Sequence, residues 1–148
     1  PAARVSPGAV YDAPRDRIVF FGGHTGSGTV NQLIELDLGT MAWATLAPGG
    51  TVPAARLYHV MVHDAAGQRA VIHGGVLGSA AYADLFTLDL TTDTFTQVAP
   101  PVAIPQGRWQ HTGVWDEAVG RLAIAGGYVG SGLEALTDGA ADTWFWGD

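Results

Sequence analysis

No cysteine occurs among the 148 residues, which excludes disulfides, thiolate nucleophiles and cysteine metal sites. The absence leaves the compartment open, because a cysteine-free chain suits either side of a membrane. Lysine is missing too: all 7 basic residues are arginine. Against them stand 14 acidic residues, and a net charge of −7 argues against nucleic acid and anionic membranes as main partners. No apolar run is long enough to span a bilayer as a helix, and the opening PAARVSPGAV has no signal-peptide hydrophobic region. That opening also lacks an initiator methionine, so the expectation is a processed or trimmed product. Arginine without lysine points to a GC-rich genome and leans toward an exported bacterial protein. Charge is sparse, at 14% of residues, while 47% hydrophobic residues are ample for the core of one ordinary domain.

What the chain does have is internal repetition, the feature to be read before any other. The segments RIVFFGG (17–23), RAVIHGG (69–75) and RLAIAGG (121–127) recur at a spacing of 52 residues. Aligned without gaps, the copies 4–28, 56–80 and 108–132 share eight columns of identical residues. These are Arg4/Arg56/Arg108, Val10/Val62/Val114, Asp12/Asp64/Asp116 and Arg17/Arg69/Arg121, then Gly22/Gly74/Gly126, Gly23/Gly75/Gly127, Gly26/Gly78/Gly130 and Ser27/Ser79/Ser131. The first two copies stay in register through LIELDL (33–38) and LFTLDL (85–90), with Trp43 matching Phe95. The third diverges after Ser131, and matching Asp142 to Asp84 takes six extra residues within YVGSGLEALTDGAA.

Each unit reads as four short strands. In the second copy they are RLYHVMVH (56–63), RAVIHGG (69–75), DLFTLDL (84–90) and TFTQVAP (94–100). The runs are short, β-branched and bounded by turn residues, and none shows helical periodicity with caps. Asp64 opens the first turn, where an aspartate can bond its own downstream backbone, and Arg69 faces it across the hairpin. The fold class is therefore all-β. An arginine followed three residues later by histidine, a hairpin, an apolar strand closing in Gly-Gly, an aspartate after L-x-L and a spaced aromatic together resemble the Kelch repeat. Pro7 stands where the first copy would carry that histidine.

The resemblance implies a β-propeller in which each repeat is a four-stranded blade. Three blades are expected, at 1–52, 53–104 and 105–148, the last lacking its fourth strand. Rings of this family use six or seven blades, so a propeller segment of three is about half a ring. The remaining blades are expected from the same longer chain or from another copy.

The resemblance also directs attention to the start of each first strand. Arg4, Arg56 and Arg108 there would form either a guanidinium ring around one mouth of the channel or a scaffold bonding backbone carbonyls between blades. Repetition in every unit favours the scaffold. Two residues on, Ser6, Tyr58 and Gln110 differ on a repeated frame, as a specificity surface requires. In similar propellers residues near this point line the ligand-binding face, so these are the binding candidates, for a protein or a small ligand. The loops 24–31, 76–83 and 128–141 complete that surface.

Metal and catalytic readings find less support. Pairing across the 64–69 turn sets His73 opposite Val60 and His63 opposite Ala70, which sends His63 and His73 to opposite faces. His59 and His63 share a face but lie ~13 Å apart along an extended strand, too far for one ion. His59 and His111 fall in the histidine column of the repeat and are expected to be buried. Glu134, Asp138 and Asp142 recur at intervals of four and offer oxygen ligands for a metal; an acidic surface loop is the reading preferred, because Asp142 already matches Asp84. No nucleophile, acid–base pair or cofactor motif stands out. Trp109, Trp115, Trp144, Trp146 and Tyr128 can stack on sugars or fill the space between blades, and most are expected in the core. The function expected is a binding and interaction module. Its alternatives are a structural subunit of a larger assembly, or the non-catalytic part of a Kelch-propeller enzyme of the mutarotase or oxidase kind.

Overall fold

The structure is a computed structural model that describes residues 2–99, 104–130 and 139–147. Among these residues almost all regular structure is strand, and the helical content is a single 3₁₀ turn over Ala13–Arg15. Three antiparallel sheets follow one another along the chain. The first contains β1 (Gly8–Asp12), β2 (Arg17–Phe21), β3 (Leu33–Asp37) and β4 (Trp43–Leu46), in that order. The second contains β5 (Val60–Asp64), β6 (Arg69–His73), β7 (Leu85–Asp89) and β8 (Thr94–Val98). The third contains β9 (Thr112–Asp116), β10 (Arg121–Ala125) and β11 (Thr143–Gly147). The meander order places the first strand of each sheet against the same strand of the next.

The register follows the pattern of the sequence. His73 pairs with Val60, His63 with Ala70 and Arg69 with Asp64, as the hairpin length requires. Residues of one parity on each sheet then face the preceding sheet and the others face the following one. Val10, Val19, Phe21 and Leu33 of the first sheet pack on Met61, Ala70, Ile72, Phe86 and Leu88 of the second. Val60, Val71 and Leu85 from the other face of the second sheet pack on Leu122, Ile124 and Trp146 of the third. Each fully buried side chain of this size contributes about 1.5–3 kcal/mol relative to exposure, so the two joints between sheets hold most of the apolar core.

One expectation fails in detail. RLYHVMVH is not one strand: it breaks at Tyr58, where φ is +58°, and resumes as β5 at Val60. Ser6 and Gln110 break the other copies in the same way, with φ of +53° at both. The short segments before these breaks leave the main sheets. Arg4–Val5 pairs with His24–Thr25, Leu57 bridges Val76, and Arg108–Trp109 pairs with Tyr128–Val129. Three equivalent small pairings therefore lie at the same end of the three sheets.

The segment after β4 also departs from the simple plan. Gly49–Gly50 runs parallel to Thr94–Phe95 and covers the outer edge of the second sheet. The linker of one repeat thus belongs structurally to the next. Gly50 sits at φ +73°, and a Cβ there would collide with the Phe95 carbonyl.

Candidate functional site

The three repeated arginines are anchored within their own repeats. Arg56 is completely buried and grips Asp84 with both terminal nitrogens, at 2.6 and 2.8 Å, while donating to the carbonyls of Gly74 and Ala54. The Tyr82 ring covers it at 4.4 Å. Arg108 repeats the arrangement with Asp142, at 2.6 and 2.9 Å, and with the Gly126 carbonyl. Two-pronged pairing of this kind fixes the planes of both groups. A guanidinium held this way is not available to a ligand. The bridge between sheets is made instead by the arginine's backbone: Gly23 N–H donates to the Arg56 carbonyl and Gly75 N–H to that of Arg108, both at 2.8 Å. The scaffold expected of these arginines is present, but its side chains work within one repeat.

Arg4 differs from its counterparts. Its column partner is Gln32 rather than aspartate, bonded at 3.2 Å, and its Nε is buried without a partner. Burial lowers its pKa, and no carboxylate pairs with it among the described residues.

Asp142 takes the role that the register with Asp84 assigns to it. Both its oxygens are engaged by Arg108, and the Trp144 indole N–H adds a bond of 2.5 Å. Arg108 and Trp144 hold its carboxyl well below the usual carboxylate range. A metal ion there would have to displace Arg108. Glu134 and Asp138, the other members of that candidate metal set, lie outside the described residues, as does Ser131. Among the described residues no group of three or more His, Asp or Glu side chains is placed to hold a metal.

Ser6, Tyr58 and Gln110 line up at the hairpin end. Tyr58 N–H donates to the Ser6 carbonyl at 3.3 Å, and Gln110 N–H donates to the Tyr58 carbonyl at 3.0 Å. The left-handed conformation turns each peptide out of its own sheet so that it bonds the neighbour's. For a non-glycine residue it costs roughly 1–2 kcal/mol. The backbone is therefore fixed at three equivalent points while the side chains are free to differ. Gln110 is exposed; Tyr58 is half-buried, with its ring 5.7 Å from Trp109, which stacks on Tyr128 at 4.8 Å. Trp109 and Trp146 are buried, and Trp115 and Trp144 pack on the second joint, so these four tryptophans serve the core.

Two features of the joints carry no signal in the local sequence. Arg17 pairs with Asp12 and Glu35 in its own sheet, then crosses to the Leu90 carbonyl at 2.5 Å and to Asp93 at 2.9 Å. Burial works against its charge, but Asp93, Glu35 and Asp12 outweigh it and raise its pKa. The second joint holds His73 and His111, whose Nδ1 and Nε2 lie 3.0 Å apart. At the first joint the equivalent histidine, His59, accepts a bond of 3.2 Å from the Gly8 N–H.

The sequence matches the family described as "KLHDC2/KLHL20/DRC7 Kelch-repeats domain" over residues 1–146. The chain belongs to the Kelch-repeat family. Its three sheets are blades of a Kelch β-propeller segment. Among curated relatives it is similar to the zebrafish (Danio rerio) "Rab9 effector protein with kelch motifs", with 40% identity over 73 residues, 48% of this chain and 20% of that protein. The cattle (Bos taurus) protein of the same name is 42% identical over 69 residues, covering 45% and 18%. "Adagio protein 3" of Arabidopsis thaliana is 33% identical over 131 residues, 85% of this chain and 20% of that protein. The chain spans about a fifth of the length of these Kelch relatives.

Proposed function

We propose that this Kelch segment is a protein-binding module whose contact surface is the rim carrying Ser6, Tyr58 and Gln110. The observation that supports this is the pairing of a fixed backbone with variable side chains: equivalent left-handed residues, tied across the joints, present serine, tyrosine and glutamine in one row. Binding surfaces on repeat scaffolds are built in this way. A relative named as an effector adds support for a protein partner rather than a metabolite. The exposed Gln110 is the cleanest probe. A photo-crosslinking residue at 110 should identify the partner, and Gln110→Arg should then weaken the purified complex at least tenfold with an unchanged melting temperature. Met41→Arg, at the opposite end of the sheets, should leave affinity intact. Equal binding by both variants would remove the rim from consideration.

We further read 1–52, 53–104 and 105–148 as three blades of a ring that is completed by blades of the same kind, from a longer chain or another copy. Both outer faces favour this. Tyr11 and Trp43 are 49% and 45% exposed on the first sheet, with Val5 60% exposed beside it, and Val114 and Phe145 are 61% and 55% exposed on the third. The first face also holds a cavity of about 390 Å³ lined by Pro7, Phe20, Ile34 and Trp43 beside Arg4. Surfaces of this kind mark protein contacts. The sedimentation behaviour of the 148-residue chain checks the reading: it should self-associate, and Val114→Arg with Phe145→Arg should abolish the association. A wild-type chain that stays monomeric at high concentration would count against open apolar faces.

A further inference from the structure

The joint between the second and third sheets differs from the joint before it in the residue that meets the histidine column. Phe21 faces the histidine column at the first joint, and His73, exactly one repeat later, faces it at the second. His73 is fully buried and His111 nearly so. Their rings meet edge to face at 5.0 Å, with one N–H donating to the other ring's bare nitrogen at 3.0 Å. The outward nitrogens, His73 Nε2 and His111 Nδ1, are buried and have no partner. The neutral pair shares one proton between the rings and carries its second as an unpartnered outward N–H on the accepting ring. A further proton would therefore add a second N–H with nowhere to bond.

Among the described residues, no acidic group is available as a counter-ion to the pair. The charged groups acting on it are Arg56 and Arg108, each already bound by its own aspartate, and His59 stands beyond His111. On the far side His73 meets the Trp146 ring at 5.7 Å. Burial, with the neighbouring His111 and arginines, pushes His73 down to about 3; burial, with Arg108, pushes His111 down to about 4. Both imidazoles are neutral while the joint is closed and regain the ordinary value of 6.5 when it opens. The open state thus binds more protons below pH 6.5, and stability of the joint falls as pH drops from there toward 4.

We propose that the second joint is an acid-released hinge, with the His73–His111 pair as its latch. The first joint is held differently. Opening it uncovers one histidine, His59, and must also break the Arg17 bonds to Leu90 and Asp93 and the Arg15 bond to Thr91. The second is crossed by the bond from the Ala65 N–H to Glu117 and by Arg69 over the Trp115 ring. Acid therefore detaches the third sheet before it separates the first two.

Hydrogen exchange read by peptide, on the whole chain between pH 6.5 and 4.5, tests this after correction for intrinsic rates. The opening constant for strands β9–β11 should rise roughly 2,000-fold over that range, about fiftyfold or a little less for each of two histidines. Strands β1–β4 should change by about fiftyfold or less. His73→Phe, which copies the first joint, should cut the rise in β9–β11 to about fiftyfold. Parallel loss of protection in all three sheets, or an unchanged pH dependence in His73→Phe, would overturn the proposal. NMR titration of the wild-type imidazoles is an independent arm that needs no variant. Both rings should stay neutral in the closed protein at pH 5, and titration of either near 6.5 with the joint intact would also overturn it.

Discussion

Arg56→Met should destabilise the protein by about 3–5 kcal/mol, the largest loss expected from a single side chain here. Methionine matches the aliphatic length but removes the bonds to Asp84, Gly74 and Ala54 together with the face of the Tyr82 ring. The Asp84 carboxylate, only partly exposed, then stands without its cation. At about 2–4 °C per kcal/mol for a chain of this size, melting should fall by roughly 6–20 °C. Arg4→Met is the internal control. It donates to the Gly22 carbonyl and to a neutral glutamine at a partly exposed site, with no ion pair, so only about 1–2 kcal/mol is expected. Thermal melts of both variants decide the matter, and similar losses would mean that the bidentate aspartate is not what anchors the repeat.

Gly74→Ala should cost about 3 kcal/mol or more, and Gly78→Ala only about 1–2. Both glycines lie at positive φ, +69° and +57°, so both substitutions pay for a left-handed alanine. Only at Gly74 is the space also taken: a Cβ would lie 2.7 Å from the Arg108 carbonyl and 2.8 Å from the His111 ring. Among the described residues, no atom beyond its chain neighbours would lie within 4 Å of a Cβ at Gly78. Relieving the clash at Gly74 requires the third sheet to move away from the second, which disturbs the bond from Gly75 N–H to the Arg108 carbonyl. Urea titration should show the difference in midpoint. Equal shifts would place the glycine pair's role in its own backbone alone.

Much of this was legible before any coordinates. The arginine, hairpin aspartate and Gly-Gly columns recur because every sheet solves the same packing problem, and repetition exposes the solution. Asp142 could be matched to Asp84 across an insertion, and the two carboxylates pair with their column arginines in the same way. Other features were illegible for physical reasons. The left-handed turns fall on serine, tyrosine and glutamine, residues that give no warning of positive φ. The His73–His111 bond joins positions 38 apart through the docking of two sheets, and Arg17 reaches 73 residues to the Leu90 carbonyl. Local patterning reports which face is buried, but not which side chains meet there. The arginine side chains were expected to bridge blades; their carbonyls do so, a distinction that depends on the break at Tyr58.

The placement of Gly49–Gly50 on the edge of the second sheet changes what a unit of this protein is. The first repeat overlaps the second like a roof shingle, its tail shielding the rim of the tile that follows. A cut at the 52-residue boundary would strip that cover from the second sheet and leave the backbone of β8 ready to recruit foreign strands. A minimal piece for expression or transplantation should instead begin near Ala47 and carry its borrowed edge with it.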